Sequence, residues 1–83
     1  LVVDVRNLNE YEASHLRGAL NLPLDELRFR LEEVPRDRPL VVHCRSGYRS
    51  HLALRILMQN GFQQVRNLTG GYVAAQAFGF IGE

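Results

Sequence analysis

The chain has 83 residues, of which 46% are hydrophobic and 23% charged, and its formal net charge is +1. This length allows one small domain with one hydrophobic core. The charge balance gives no support for a nucleic-acid partner, which needs a basic excess, and the apolar runs are too short for the roughly 18 residues of a membrane span. A single cysteine excludes an internal disulfide and a cysteine-rich zinc site, and a free thiol favours the cytoplasm.

Strands and helices are predicted to alternate from the first residue onward. An apolar, β-branched run over residues 1–5 predicts a buried strand. Asn7 and Glu10 have the spacing of a capping box for a helix that runs to about His15. Residues 19–23 then predict a second strand, which a proline ends.

The second half of the chain continues this alternation. Leucines at helical spacing over residues 24–34 predict an amphipathic surface helix. A third strand over residues 39–44 leads into a third helix, which begins near Tyr48 or Arg49 and ends before Gly61, a residue suited to a left-handed C-terminal position. The remaining predicted elements are a fourth strand over residues 64–68 and a last helix over residues 72–80.

The order of these elements defines the predicted fold class. An order of β-α-β-α-β-α-β-α predicts a small parallel sheet flanked by helices on both sides. Neither a linker nor an internal repeat divides the sequence. Residues 1–83 are therefore predicted to form one α/β domain.

The only cysteine, Cys44, lies in the stretch HCRSGYRS between the third strand and the third helix. Ligands of parallel α/β sheets bind beyond the carboxyl ends of strands, and the N–H groups of a tight loop form an anion-binding nest. Gly47 permits the tight turn, while Arg45 and Arg49 add positive charge. Ser50 is either a hydroxyl donor to the sulfur or a helix cap. We expect these surroundings to lower the thiol pKa below its free value of ~8.5 and to make the thiolate a nucleophile.

Other interpretations of this loop remain open from the residues alone. The cysteine can be an inert buried hydrophobe, and the loop can bind an anion without chemistry. A thiolate phosphatase with Cys-x5-Arg spacing needs arginine at position 50, which is Ser50 here. Four residues separate Cys44 from Arg49, and this shorter loop favours a terminal sulfur over a tetrahedral phosphate.

Three segments together resemble the rhodanese family of sulfurtransferases. DVRNLNEYEASHLRGALNLP at residues 4–23 resembles the first signature of the family, CRSGYRS at residues 44–50 resembles its active-site loop, and NLTGGY at residues 67–72 resembles its closing L-x-G-G element. The resemblance implies a rhodanese-like fold in which Cys44 carries sulfane sulfur as a persulfide. It also implies substrate-binding roles for Arg45, Ser46, Gly47, Tyr48, Arg49 and Ser50.

The resemblance further implies the reaction partners. The donor would be thiosulfate or a thiol persulfide, the acceptor would be cyanide or a thiol, and the domain itself would need no cofactor and no metal. Single rhodanese domains also occur fused to FAD- and pyridine-nucleotide-dependent disulfide reductases, including coenzyme A disulfide reductases, so a fused reductase domain is a candidate partner. Members of the family usually carry an extra strand and helix before the first signature, and we expect this chain to lack both.

The polar residues near the loop are interpreted as structural. His43 precedes the cysteine on a strand, so its side chain should face the opposite side of the sheet, and a Cys–His catalytic pair is not expected. Asp4 is expected to accept hydrogen bonds from backbone near the loop. Arg6 is expected to pair with Glu10 or Glu12.

Two hypotheses compete with sulfur transfer. The first is a non-catalytic, rhodanese-like module that docks partners or regulates a fused enzyme, although such modules typically lack the cysteine that this chain keeps. The second, less favoured because of the loop length, is a thiolate phosphatase or an arsenate reductase.

Overall fold

The computed structural model describes residues 1–68 of the chain. The strands in this region are β1 (Val2–Asp4), β2 (Leu20–Asn21), β3 (Leu40–His43) and β4 (Val65–Asn67). They form a parallel sheet in the order β2-β1-β3-β4. The predicted α/β fold with a small parallel sheet is thus confirmed. The last predicted helix, residues 72–80, lies outside the described residues.

The α-helices of this region are α1 (Leu8–Ala13) and α2 (Tyr48–Gln59). The capping box predicted for α1 is present, and the Asn7 N–H donates to Glu10 Oε1 at 3.0 Å. The helix ends at Ala13, two residues before the predicted end. Within residues 1–68, no helix combines the length and the apolarity that crossing a bilayer requires.

The α2 helix begins at Tyr48, one of the two predicted starts, and ends at Gln59, before the glycine that the sequence indicates. Gly61 has a positive φ of 89°. Its N–H donates to the Met58 carbonyl at 3.2 Å, and the Phe62 N–H donates to the Leu57 carbonyl at 3.1 Å. These two hydrogen bonds form a Schellman motif, which satisfies carbonyls at the end of the helix.

The connection between β2 and β3 is not the α-helix predicted over residues 24–34. It consists of two 3₁₀ helices, Leu24–Phe29 and Leu31–Glu33. They are separated at Arg30, whose φ of −131° and ψ of 25° are not helical, and the Arg30 guanidinium spans the break by pairing with Glu26 and Glu33. Leu27 is nevertheless fully buried, because leucines three residues apart share one face of a 3₁₀ helix.

Apolar side chains cover both faces of the sheet. On one face, Val3, Val5 and Val42 belong to the main core, which also contains buried residues of α2 and of the first 3₁₀ helix. On the other face, a smaller cluster contains Leu16 and Ala19, with Val2, Tyr11 and Leu68 packed against it. Successive residues of a strand point to opposite faces, so β1 contributes to both clusters.

The strand order places a topological switch point between β1 and β3. These strands are neighbours although β2 lies between them in the sequence. The chain leaves β1 for β2 on one side and leaves β3 for β4 on the other, which opens a crevice beyond the carboxyl ends of β1 and β3. Ligands of open α/β sheets bind in such a crevice, and Cys44 is the first residue after β3.

Candidate active site

Cys44 lies at the floor of the loop that connects β3 to α2. Its side chain is buried, with 1% of the residue exposed, and it packs with the main core. The loop turns at Gly47, which has a φ of 114° and precedes the first residue of α2. A positive φ of this kind is open to glycine and strained for other residues, which explains why glycine occupies this position.

Two backbone amides point at the sulfur. The Gly47 N–H donates to Cys44 Sγ at 3.1 Å, and the Ser50 N–H donates at 3.3 Å. Burial by itself raises the pKa of the Cys44 thiol, but hydrogen bonding with the Ser50 side chain and with the amides of Ser50, Gly47 and Ser46 outweighs burial. The Cys44 pKa therefore lies below its ordinary value of 9.0, and the loop favours the thiolate, which is the reactive form of cysteine.

The Ser50 side chain is part of a hydrogen-bonded network around the sulfur. The residue is fully buried, and its Oγ lies 3.5 Å from Cys44 Sγ, 3.1 Å from the Gly47 carbonyl and 2.6 Å from Asn67 Oδ1. Asn67 Nδ2 donates to the same Gly47 carbonyl at 3.3 Å. Ser50 thus contacts the sulfur, as the sequence allowed, and its hydroxyl proton is directed at Asn67.

Arg49, one of the residues expected to bind substrate, forms an ion pair with Glu10 of α1. Its Nη1 donates to Glu10 Oε1 at 2.8 Å, and its Nη2 donates to Glu10 Oε2 at 3.2 Å. The hydrogen bond from Arg49 lowers the pKa of Glu10 to about 2, and the Glu10 carboxylate raises the pKa of Arg49. The charge of the Cys44 thiolate also contributes to the raised pKa of Arg49.

The other predicted substrate-binding residues stand on the outer side of the loop. Arg45 and Ser46 are exposed, and the Tyr48 side chain is 72% exposed. The structure therefore brings Gly47, Ser50 and the amide of Ser46 to the sulfur and leaves the side chains of Arg45 and Tyr48 exposed to solvent.

The face of the sheet opposite Cys44 carries a buried ionic cluster. His43 is fully buried, its Nε2 lies 3.6 Å from Asp4 Oδ2, and burial lowers its pKa. The Asp4 carboxylate accepts from both the backbone and the guanidinium of Arg6, with Nη2 at 2.8 Å. The position of His43 away from the sulfur agrees with the expectation. Arg6 forms an ion pair with Asp4, and its charge also helps to lower the pKa of Glu10, one of the two partners expected for it.

The sequence reasoning did not assign a site role to Glu10 or to Asn67. Asn67 ends β4 beside β3, so its position at the carboxyl edge of the sheet was a signal that could have placed it near the loop. Glu10 reaches Arg49 across 39 residues of sequence, and no local pattern indicates this pair. Among residues 1–68, no three histidine, cysteine, aspartate or glutamate side chains are grouped so that they could hold a metal ion.

Comparison with protein families and curated proteins gives consistent matches. The family model of the rhodanese-like domain matches residues 1–77. The chain is 43% identical over 74 residues to a sulfurtransferase of Allochromatium vinosum, a match that covers 89% of this chain and 69% of that protein. It is 38% identical over 73 residues to the thiosulfate sulfurtransferase GlpE of Shewanella oneidensis, covering 88% of this chain and 72% of that protein.

Similar solved structures include both small proteins and parts of larger enzymes. A rhodanese-related protein from Thermoplasma volcanium is 29% identical with a TM-score of 0.90, covering 98% of this chain and 81% of that one. Reduced Bacillus anthracis CoADR-RHD is 45% identical with a TM-score of 0.80, and a NAD-dependent persulfide reductase from A. fulgidus is 43% identical with a TM-score of 0.76. The chain spans 13% of each of these two reductases.

Proposed function

We propose, on the premise that this chain belongs to the rhodanese-like family, that it is a sulfurtransferase that works through a persulfide on Cys44. The observation that carries the proposal is the pair of amide hydrogen bonds from Gly47 and Ser50 to Cys44 Sγ. Amides that donate to the sulfur in a buried loop raise the fraction of thiolate, which is the nucleophilic form of cysteine. The same donors suit the anionic outer sulfur of a persulfide, since they favour negative charge at this point.

The proposed reaction has two displacement steps. In the first, the Cys44 thiolate attacks the outer sulfur of thiosulfate, a sulfur–sulfur bond forms, and sulfite leaves with the electron pair of the broken bond. In the second, a nucleophile such as cyanide or a thiolate attacks the outer sulfur of the persulfide and regenerates the Cys44 thiolate. Atoms, charge and electrons balance in each step, so the reaction requires no external oxidant or reductant.

The start of α2 supplies further donors for the transferred sulfur. The first amides of a helix have no partners within the helix, and the Ser50 amide already binds Sγ. We assign the amides of Tyr48 and Arg49, with those of Arg45 and Ser46, to the outer sulfur. The exposed side chains of Arg45 and Tyr48 then contact the donor as it enters the loop.

The donor class is suggested by the two reductase matches. Thiosulfate is the donor named for GlpE, whereas the A. fulgidus relative is named a persulfide reductase. Because both reductases resemble this chain at more than 40% identity, we propose that a thiol persulfide is a second donor. A disulfide reductase domain, fused or separate, would then be the partner that consumes the transferred sulfur.

Steady-state kinetics with the two donors tests this function. We expect the wild-type chain to form thiocyanate from cyanide with thiosulfate or glutathione persulfide as donor, and Cys44→Ser to form none above the uncatalysed rate. An aryl phosphate assay run in parallel addresses the phosphatase alternative. Equal thiocyanate formation by wild type and Cys44→Ser would refute the proposal, and an inactive but folded wild type would favour a docking module.

A further inference from the structure

Asn67 is connected to the sulfur of Cys44 through a single side chain. It lies at the end of β4, and its amide contacts both Ser50 Oγ at 2.6 Å and the Gly47 carbonyl at 3.3 Å. Ser50 Oγ in turn lies 3.5 Å from Cys44 Sγ. The loop, the first turn of α2 and the neighbouring strand thus share one chain of hydrogen bonds.

The direction of these hydrogen bonds follows from the chemistry of the groups. A carbonyl oxygen only accepts, so the Asn67 atom that faces the Gly47 carbonyl must be the NH₂ group. Asn67 Oδ1 then faces Ser50 and must receive a proton from the Ser50 hydroxyl. Because a serine hydroxyl has one proton, this proton is directed away from Cys44, and Ser50 Oγ accepts from the Cys44 thiol.

When Cys44 ionises, its sulfur becomes an acceptor for the Ser50 hydroxyl proton. A thiolate cannot donate, and it attracts the hydroxyl proton as a charged acceptor. Asn67 Oδ1, the Gly47 carbonyl and the thiolate then compete for one donor, and Ser50 Oγ lies 2.6, 3.1 and 3.5 Å from them. Asn67 is the nearest acceptor, and without it the charged thiolate is a stronger acceptor than the neutral carbonyl. We infer that Asn67 is a positioning residue that withholds the Ser50 hydroxyl from the Cys44 thiolate and so sets the basicity of the nucleophile.

This role deepens the proposed sulfur transfer and depends on it for its biological meaning. A thiolate that receives fewer hydrogen bonds is more basic, and thiolate nucleophilicity rises with basicity. The amides of Gly47 and Ser50 favour the anion, while Asn67 limits that effect by holding back the hydroxyl proton. Ser50 and Asn67 would therefore balance the amount of thiolate against its reactivity.

The charged groups around the thiol stay unchanged in the neutral variants that test this inference. Among the described residues they are Arg45 in the loop, Arg49 of α2, Glu10 of α1, Arg66 of β4, and the Asp4, Arg6 and His43 cluster on the opposite face.

The test is the pH dependence of Cys44 alkylation by iodoacetamide, which requires no sulfur transfer. We expect Asn67→Ala to lower the Cys44 pKa by about one, because the freed hydroxyl donates to the thiolate. Ser50→Ala has no hydroxyl to release, so it should not show this fall, and adding Asn67→Ala to Ser50→Ala should change the pKa little further. Asn21→Ala is the matched control, since Asn21 is a half-buried amide that bonds Asp4 and Arg6 carbonyls without touching Ser50.

A second variant keeps the inference falsifiable if Asn67→Ala does not fold. Asn67→Asp keeps the acceptor for the hydroxyl and adds negative charge, so it should raise the Cys44 pKa. An unchanged or raised pKa in folded Asn67→Ala, an equal effect in the Ser50→Ala background, or an unchanged or lowered pKa in Asn67→Asp would overturn the inference. Should these shifts occur in a chain that transfers no sulfur, the proposed function fails and the role of Asn67 stands.

Discussion

Arg49 at the start of α2 is joined to Glu10 of α1 by two hydrogen bonds, of 2.8 and 3.2 Å. The pair links the loop that carries Cys44 to α1, the helix that follows β1, and β1 is the neighbour of β3 at the switch point. Both side chains are about 30% exposed, so solvent and anions reach the pair. Under the proposed function, we expect an incoming anionic donor to compete with Glu10 for the Arg49 guanidinium.

Glu10→Gln should strengthen the binding of anionic sulfur donors. Loss of the carboxylate frees the guanidinium of Arg49 for the donor, so we expect the KM for thiosulfate to fall by about fivefold, the factor that ~1 kcal/mol represents. Steady-state kinetics measures this change. Glu12→Gln is the matched control, because Glu12 is an exposed carboxylate of the same helix. A KM that rises in Glu10→Gln would show instead that Glu10 holds Arg49 in its working position.

The same pair should make stability depend on acidic pH. The pKa of Glu10 is lowered from 4.5 to about 2 in the folded chain, so its contribution is present above pH 4.5 and is lost as the pH falls towards 2. We expect wild type to exceed Glu10→Gln in free energy of unfolding by less than about 1 kcal/mol at pH 6. Urea unfolding at pH 6, 4 and 2.5 measures the difference. A gap that stays constant down to pH 2.5 would contradict the ionic contribution.

Gly47→Ala should lower the reactivity of Cys44 more than it lowers the stability of the fold. Apart from its chain neighbours, no heavy atom of residues 1–68 lies within 4 Å of an added Cβ, so the cost comes from the φ of 114°, and strain of this kind amounts to about 1–3 kcal/mol. Relief of the strain turns the Gly47 amide away from Sγ, which should slow Cys44 alkylation at neutral pH about threefold to tenfold.

Gly18→Ala provides the control for that measurement. Gly18 also has a positive φ, 70°, with open space around its Cα, but it contributes no hydrogen bond to the sulfur among those found. The rate of Cys44 alkylation in Gly18→Ala should match that of wild type when both are compared at equal folded fractions. Equal slowing in the two variants would mean that the Gly47 amide does not tune the thiol.

The buried cluster of Asp4 should be the most sensitive ionic site of the described region. Asp4 is fully buried and Arg6 is 4% exposed, so Asp4→Asn leaves the guanidinium without its carboxylate in the interior. Breaking a buried pair in this way costs about 3–5 kcal/mol. Urea unfolding should show this loss, whereas Arg30→Gln, in the more exposed cluster with Glu26 and Glu33, should cost much less. Similar losses in the two variants would contradict this ranking.

The elements that the sequence predicted well are those with local causes. Apolar runs placed β1 and β3, the Asn7 and Glu10 spacing placed the start of α1, and Gly61 placed the end of α2. The prediction of an α-helix over residues 24–34 was wrong because leucines three and four residues apart fit an α-helix as well as two short 3₁₀ helices. The break between those turns depends on contacts that side-chain periodicity does not encode.

The sequence predicted the loop residues that contact the sulfur, but it did not predict the partners of that loop from other parts of the chain. Cys44, Gly47 and Ser50 lie in one short segment whose strand-loop-helix context indicates amides around a thiol. The partners of that segment, Glu10 and Asn67, come from distant parts of the chain, and only the strand order brings them near. The prediction that the chain lacks the first strand and helix of its family stays a prediction.

Intact mass spectrometry after incubation with thiosulfate tests sulfur transfer most directly. We expect the wild-type chain to gain the mass of one sulfur atom and to lose it when cyanide is added. Cys44→Ser should gain nothing under the same conditions. Sulfur uptake by Cys44→Ser, or a folded wild type that gains no mass from thiosulfate or from glutathione persulfide, would contradict a Cys44 persulfide as the intermediate.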